Sequence, residues 1–242
     1  MYNWNVTPIL AGEFGMVRDD IKYRNGDVSN SEMVPSLIYK LSCEDEIVMV
    51  DCGFSTPEIY NDMGLEIKRE GTFFDIIENN GIDRTKVRHL ILTHLHWDHA
   101  GNCSLFPNAK IYCQSRELMG IKEHPDIYSP EYLQDFYNSK DRVFLLNGKK
   151  ELLPGITIDY CGGHTYGSQY VTIHNNGITT IITGDTVMTY KNIKDNTPVG
   201  LAVNGTECEA MLEWINKSKP NWILPSHDYK TLKYQKYGKD LV

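Results

Sequence analysis

Four potential metal ligands fall within six residues in the segment His94-Leu95-His96-Trp97-Asp98-His99. Burying three imidazoles and a carboxylate together strips several polar groups of water with no return, unless a cation sits among them. In an extended segment residues 94 and 96 point the same way, and Asp98 and His99, past a bend, can face a second ion. Imidazole and carboxylate donors without thiolate suit zinc, iron, manganese or cobalt. Zinc is the ordinary choice for hydrolysis at neutral pH, so the expected cofactor is two divalent ions, Zn2+ before Fe or Mn. His89, His124 and His174 stand alone and read as ordinary residues.

The elements that must position this cluster follow from the apolar pattern. Val87 to Leu92, apolar except at Arg88 and His89, reads as a buried strand that ends at the cluster. Before it come strand-like runs from Val6 to Ala11, Ser36 to Leu41 and Ile47 to Val50. A helix follows, with an apolar stripe of Phe73, Phe74, Ile76 and Ile77, and Gly81 in place to end it. Gln114 to Lys140 is helical in character and aromatic. It is expected to form a lid or wall, and Tyr128, Tyr132, Phe136 and Tyr137, read as exposed, offer a surface for a homodimer. The second half returns to sheet: Ile156 to Tyr160, then Tyr170 to His174 joined through Asn175-Asn176-Gly177 to Ile178 to Thr183. Thr206-Glu207-Cys208-Glu209 has capping-box form and opens a helix that buries Met211, Leu212 and Ile215. Trp222 to Leu224 then leads into Pro225-Ser226-His227-Asp228. Strands, helix, strands and helix fit two packed sheets with helices outside, in one domain spanning residues 1–242.

Bulk properties remove several function classes. A net charge of −8 over 242 residues argues against a nucleic-acid partner, which is normally met by a basic face. The six cysteines form no CxxC pair, so reduced thiols are expected rather than a zinc knuckle or a disulfide framework. No apolar run approaches the roughly 18 residues a membrane helix needs, and the first residues lack the basic start of an export signal. A cytoplasmic protein with no membrane partner is expected.

The histidine cluster resembles the signature of the metallo-β-lactamase superfamily. Gly162-Gly163-His164, Gly184-Asp185 and Ser226-His227 follow in the family's order, and Val50-Asp51-Cys52-Gly53 is similar to its strand-ending Asp-x-Gly. The resemblance implies an α/β four-layer αββα sandwich of two mixed sheets with outer helices. It also implies that His94, His96 and His164 hold one ion, that Asp98, His99 and His227 hold a second, and that Asp185 bridges them. Asp51 would steady the site loop without being a ligand. Two such ions can share a hydroxide as nucleophile and polarise the attacked carbonyl.

Within the superfamily the chain looks most similar to the N-acyl homoserine lactonases, which implies a small lactone or ester substrate. Those enzymes carry a tyrosine three residues after the bridging aspartate, where this chain has Met188. Tyr190 and Tyr166 are the candidate replacements and, with Asp98, the candidate catalytic residues. A glyoxalase II-like thioesterase or a phosphodiesterase would use the same metal site. A flavodiiron-type redox protein would want further acidic ligands, and a binding protein on this fold would have lost some of the seven.

Overall fold

Along strand Ser31–Cys43, Leu37, Tyr39 and Leu41 point one way and Ile38 the other, yet all four are buried. That strand has protein on both faces, as the middle layers of a sandwich require. The computed structural model describes residues 3–234. Its first sheet contains β1 (Asn5–Arg18), β2 (Ser31–Cys43), β3 (Glu46–Val50), β4 (Glu66–Lys68), β5 (Val87–Ile91), β6 (Lys110–Gln114) and β7 (Val143–Leu146), in the order β4-β1-β2-β3-β5-β6-β7. The strands from β4 to β3 pair antiparallel, and β3, β5, β6 and β7 run parallel. The second sheet contains β8 (Lys150–Leu153), β9 (Ile156–Tyr160), β10 (Gln169–Asn175), β11 (Ile178–Ile182) and β12 (Trp222–Leu224), in the order β12-β11-β10-β9-β8. There β12 lies parallel to β11 and the other pairs are antiparallel, so both sheets are mixed.

Between the sheets, Leu37, Tyr39, Val48 and Val50 of the first meet Ile158, Val171, Ile173 and Ile182 of the second. The outer face of the first sheet packs Ile38, Met49 and Leu90 on Phe73 and Ile77 of helix Phe73–Asn79. The outer face of the second packs Tyr170, Ile181 and Ile223 on Met211, Leu212 and Ile215 of helix Gly205–Ser218. The result is the expected αββα order, each fully buried aliphatic side chain contributing about 1.5–3 kcal/mol. Among the described residues no helix is long and apolar enough to cross a membrane.

Four departures from the sequence expectations have local causes. Strand β1 runs on past Ala11 to Arg18, because register shifts at Leu10/Gly12 and Phe14/Val17 let it bend instead of stopping. The strands β4, β6, β7 and β8 carry too weak an alternation to be read. The cap of the last helix is Asn204 and not Thr206: its side chain accepts from the amides of Thr206 and Glu207, while Glu207 turns away to bind Gly163 N at 2.9 Å. Finally, the aromatics of 128–137 are not an exposed surface. Tyr128 and Phe136 are buried in the core beneath the first sheet, and Tyr137 packs half-buried against it.

Candidate metal centre

Each candidate ligand sits just past the C-terminal end of a strand, the 94–99 segment after β5, His164 after β9, Asp185 after β11 and His227 after β12, and the supporting Asp51 follows β3 in the same way. This is the edge where open α/β sheets gather their functional loops. Gly184 lets two of them meet. Its φ is +54°, and a Cβ there would lie 2.7 Å from Thr93 Cβ, so only glycine brings Asp185 against the histidine segment. Tyr39, buried between the sheets, donates to the Pro225 carbonyl at 2.7 Å and so fixes the loop that carries His227.

The seven side chains converge in two groups that share one residue. His94, His96, His164 and Asp185 form the first; Asp98, His99, His227 and Asp185 form the second, all of them buried. In each group the possible ligand atoms lie within 4.8 Å of one another. Asp185 Oδ2 is 3.4 Å from His164 Nε2 and 3.9 Å from His94 Nε2, while its Oδ1 is 3.1 Å from His99 Nε2 and 3.0 Å from His227 Nε2. One carboxylate thus faces both groups, and its Oδ2 also lies 3.1 Å from His227 Nε2. Asp98 Oδ2 completes the second, 3.3 Å from His99 and 3.6 Å from His227.

The far side of several rings is tied to the protein. Nδ1 of His164 is 2.7 Å from the Leu201 carbonyl, Nδ1 of His227 is 2.8 Å from the Pro35 carbonyl, and Nδ1 of His99 is 2.8 Å from Asp51 Oδ2. Such acceptors hold the proton on Nδ1 and turn the Nε2 lone pair inward, as metal-binding histidines require. Asp51 itself has φ +61° and accepts from Thr93 N at 2.7 Å and Thr93 Oγ1 at 2.8 Å. It touches no ion position directly and braces His99, which is the placement the sequence suggested.

Electrostatics give the test of whether cations fit. Burial pushes His94 well below the ordinary imidazole value and His96 to about 3, with the neighbouring imidazoles adding to the effect. His99 is buried too, yet Asp98, Asp185 and Asp51 hold it well above the ordinary value. Asp185 stays well below the usual carboxylate range despite burial, because His227 and His99 face it. Nε2 of His94 and of His96 are buried with no hydrogen-bond partner. Buried ring nitrogens are almost always satisfied, so bare ones within this cluster fit a site built for cations.

Beside the two groups lies a cavity of about 160 Å³. His96, Asp98, His164, Asp185 and His227 form its polar part, and Phe14, Val17, Val34, Leu65, Met188 and Leu201 wall the rest. Lys22 also lines it, buried and paired with Glu32 and with Asp19 at 2.9 Å. A larger groove of about 420 Å³ shares Val34 and His227 with it.

Neither proposed tyrosine reaches the cavity. Tyr190 donates its hydroxyl to the Ile223 carbonyl at 2.9 Å and is spent inside the protein, lining the larger groove instead. The ring of Tyr166 stacks on His124 at 4.9 Å and packs against the core under the first sheet. Met188 does face the cavity, as an apolar filler. The lone histidines 89, 124 and 174 lie outside both groups.

Several residues of the site were missed in the sequence. Ser226 donates to Asp185 Oδ1 at 2.5 Å, and its adjacency to His227 was the available signal. Phe14 and Val17 were hidden by the early end assigned to β1. Glu117, a charged residue on the buried face of helix Ser115–Glu123, braces the histidine loops from behind.

Comparison with known proteins agrees with this geometry. An N-acyl homoserine lactonase of Bacillus cereus is 26% identical over 199 residues, covering 77% of this chain and 76% of the relative. A Bacillus thuringiensis AiiA variant, solved with N-decanoyl-L-homoserine at its active site, superposes with a TM-score of 0.80 at 23% identity, over 96% of each chain. AidC, a dizinc quorum-quenching lactonase solved with its product, gives 0.72 at 15% identity, over 95% of this chain and 89% of AidC. The sequence profile of the metallo-β-lactamase superfamily matches residues 35–227, from Pro35 in β2 to the last histidine of the cluster, and the chain belongs to that superfamily.

Proposed function

We infer that the protein is a dinuclear-metal hydrolase that opens lactones, with N-acyl homoserine lactones as the substrate class. One observation carries the reading: two ligand groups joined through Asp185 at the edge of a small apolar cavity. The lactonase relatives select the bond. His94, His96 and His164 would hold one ion, Asp98, His99 and His227 the other, and Asp185 both. The donor set favours zinc. When bound, the pair supplies a water acidified to near neutral pH and Lewis-acid polarisation of the ester carbonyl.

The chain's own residues do the rest. Asp98 lines the cavity, which supports a role in which it would take the proton of the attacking water and return it to the ring oxygen as the ester opens. Phe14, Val17, Leu65 and Leu201 exclude water and bind the apolar part of the substrate. With Met188 in the wall and the Tyr190 hydroxyl bound to Ile223, neither residue offers a donor to the carbonyl oxygen. Six free cysteines suit work in a reducing cytoplasm, where removal of acyl homoserine lactones would quench quorum signals.

The test is a panel of acyl lactones, thioesters and phosphodiesters assayed by pH-stat on zinc-reconstituted protein. Ring opening of lactones, abolished in His96→Ala, is expected. Turnover of thioesters without any lactone opening would overturn the assignment.

A further inference from the structure

Glu117 is fully buried, 0% exposed, and its carboxylate gathers four donors. Oε2 accepts from Leu95 N at 2.8 Å. Oε1 accepts from Thr165 Oγ1 and Gly167 N at 2.5 Å each and from the Tyr128 hydroxyl at 3.2 Å. Leu95 lies between His94 and His96, and Thr165 follows His164. The two segments that carry the three histidines of the first group are therefore tied to opposite oxygens of one side chain. Tyr128, held by the same carboxylate, sets its ring 5.8 Å from that of His96. Among the described residues Glu117 has no hydrogen bond to Asp98, His99 or His227; there the bracing carboxylate is Asp51.

We propose that Glu117 is the positioning residue of the first ion alone, setting the distance between the His94/His96 segment and the His164 turn. Each ion then has its own carboxylate brace, and affinity at one position is tuned without the other. The inference rests on the two-ion reading above. A glutamine at 117 has nearly the same shape but only one accepting oxygen. If that oxygen serves Thr165, Gly167 and Tyr128, the amide NH2 confronts Leu95 N–H, donor against donor; if it serves Leu95, three donors lose their acceptor. Either way one half of the clamp opens.

The experiment needs no substrate. Chelator-stripped full-length protein is titrated with Zn2+ against a chromophoric chelator, and bound zinc is counted by elemental analysis. Two equivalents in the unmodified chain test the two-ion reading itself. Glu117→Gln is expected to keep one step and weaken the other by about 10- to 100-fold, the usual cost of losing a residue that orients a ligand. Added to His227→Ala, where the first position remains, it weakens the remaining step; added to His96→Ala, it leaves the remaining step unchanged. Equal weakening in both backgrounds, or in neither, overturns the proposal. Should Glu117→Gln fail to fold, Thr165→Val removes one donor, keeps the carboxylate and must give the same asymmetry to a smaller degree; a symmetric response there is equally fatal.

Discussion

Asp51→Asn isolates the other brace and allows a magnitude to be worked from the contacts. Asp51 Oδ1 accepts from Thr93 N, and Oδ2 lies 2.8 Å from both Thr93 Oγ1 and His99 Nδ1. Asparagine tolerates the left-handed backbone at this position, so the fold is not at risk from φ. Its amide keeps a single acceptor. With the oxygen toward Thr93 N, the NH2 faces His99 and forces Nδ1 to accept; the ring proton then moves to Nε2, where the lone pair for an ion should be. With the oxygen toward His99, Thr93 N–H faces a donor. One hydrogen bond to a charged group is lost in either arrangement, about 1.5–3 kcal/mol. At 1.4 kcal/mol per decade this is about a 10- to 150-fold loss of affinity for the second ion. Zinc titration against a chelator, run beside a lactone assay at saturating and limiting zinc, reads it. Activity should recover at saturating zinc. Unchanged affinity would refute the reasoning that Asp51 sets the His99 tautomer, as would an activity loss that excess zinc leaves untouched.

Four further outcomes follow from the same contacts. Tyr190→Phe should cost about 1 kcal/mol of stability from the lost bond to Ile223 and leave kcat for lactones within about twofold; a hundredfold fall in kcat would return the hydroxyl to the active site. Phe14→Ala removes a ring set edge-on to Trp97 at 5.1 Å and His227 at 5.3 Å, and should cost about 3 kcal/mol in urea denaturation while raising KM for long-chain lactones more than for short ones. Chelation should lower Tm by on the order of 10 °C relative to excess zinc, since about 4 kcal/mol of linkage is withdrawn when the metal was present at a thousand times its Kd. Burial raises the Glu117 carboxyl from 4.5 to about 7, so the folded state favours the protonated form. Its contribution to stability therefore declines as pH rises from 4.5 to about 7 and is flat above, by about 3 kcal/mol in all; the difference in urea midpoint between stripped wild type and Glu117→Gln should follow that curve, and a pH-independent difference would contradict it.

What was legible in the sequence were interactions that are local or strongly patterned. His94 to His99 could be read because four candidate ligands on one bend leave few structural alternatives, and Val87 to Leu92 because Val87, Leu90, Ile91 and Leu92 are all buried and leave only Arg88 and His89 to break the apolar run. The cap at Asn204 was hidden because Thr206-Glu207 satisfies the same local rule, and only the tertiary bond of Glu207 to Gly163 decides between them. Tyr190 shows the same limit from the other side. Two residues beyond Met188 it stands near enough in sequence to replace a donor, but the turn into the short helix Tyr190–Lys194 sends its hydroxyl to the Ile223 carbonyl of β12. Long-range partners of this kind have no sequence periodicity to betray them.

Glu117 is the instructive case. A buried carboxylate is costly unless every lone pair is used, and its four donors come from residues 95, 128, 165 and 167, none of them neighbours in the chain. Sequence patterning could supply a polar residue on an otherwise core-facing helix and nothing more. Yet that residue joins the β5 exit to the β9–β10 turn, the two places from which the three histidines of the first group are hung. The ligands announce themselves by residue type, whereas the groups that fix their spacing are assembled only by the fold. For that reason the seven ligands alone do not specify the relative affinity of the two ion positions; the carboxylates of Asp51 and Glu117, one behind each, are where this chain can set them apart.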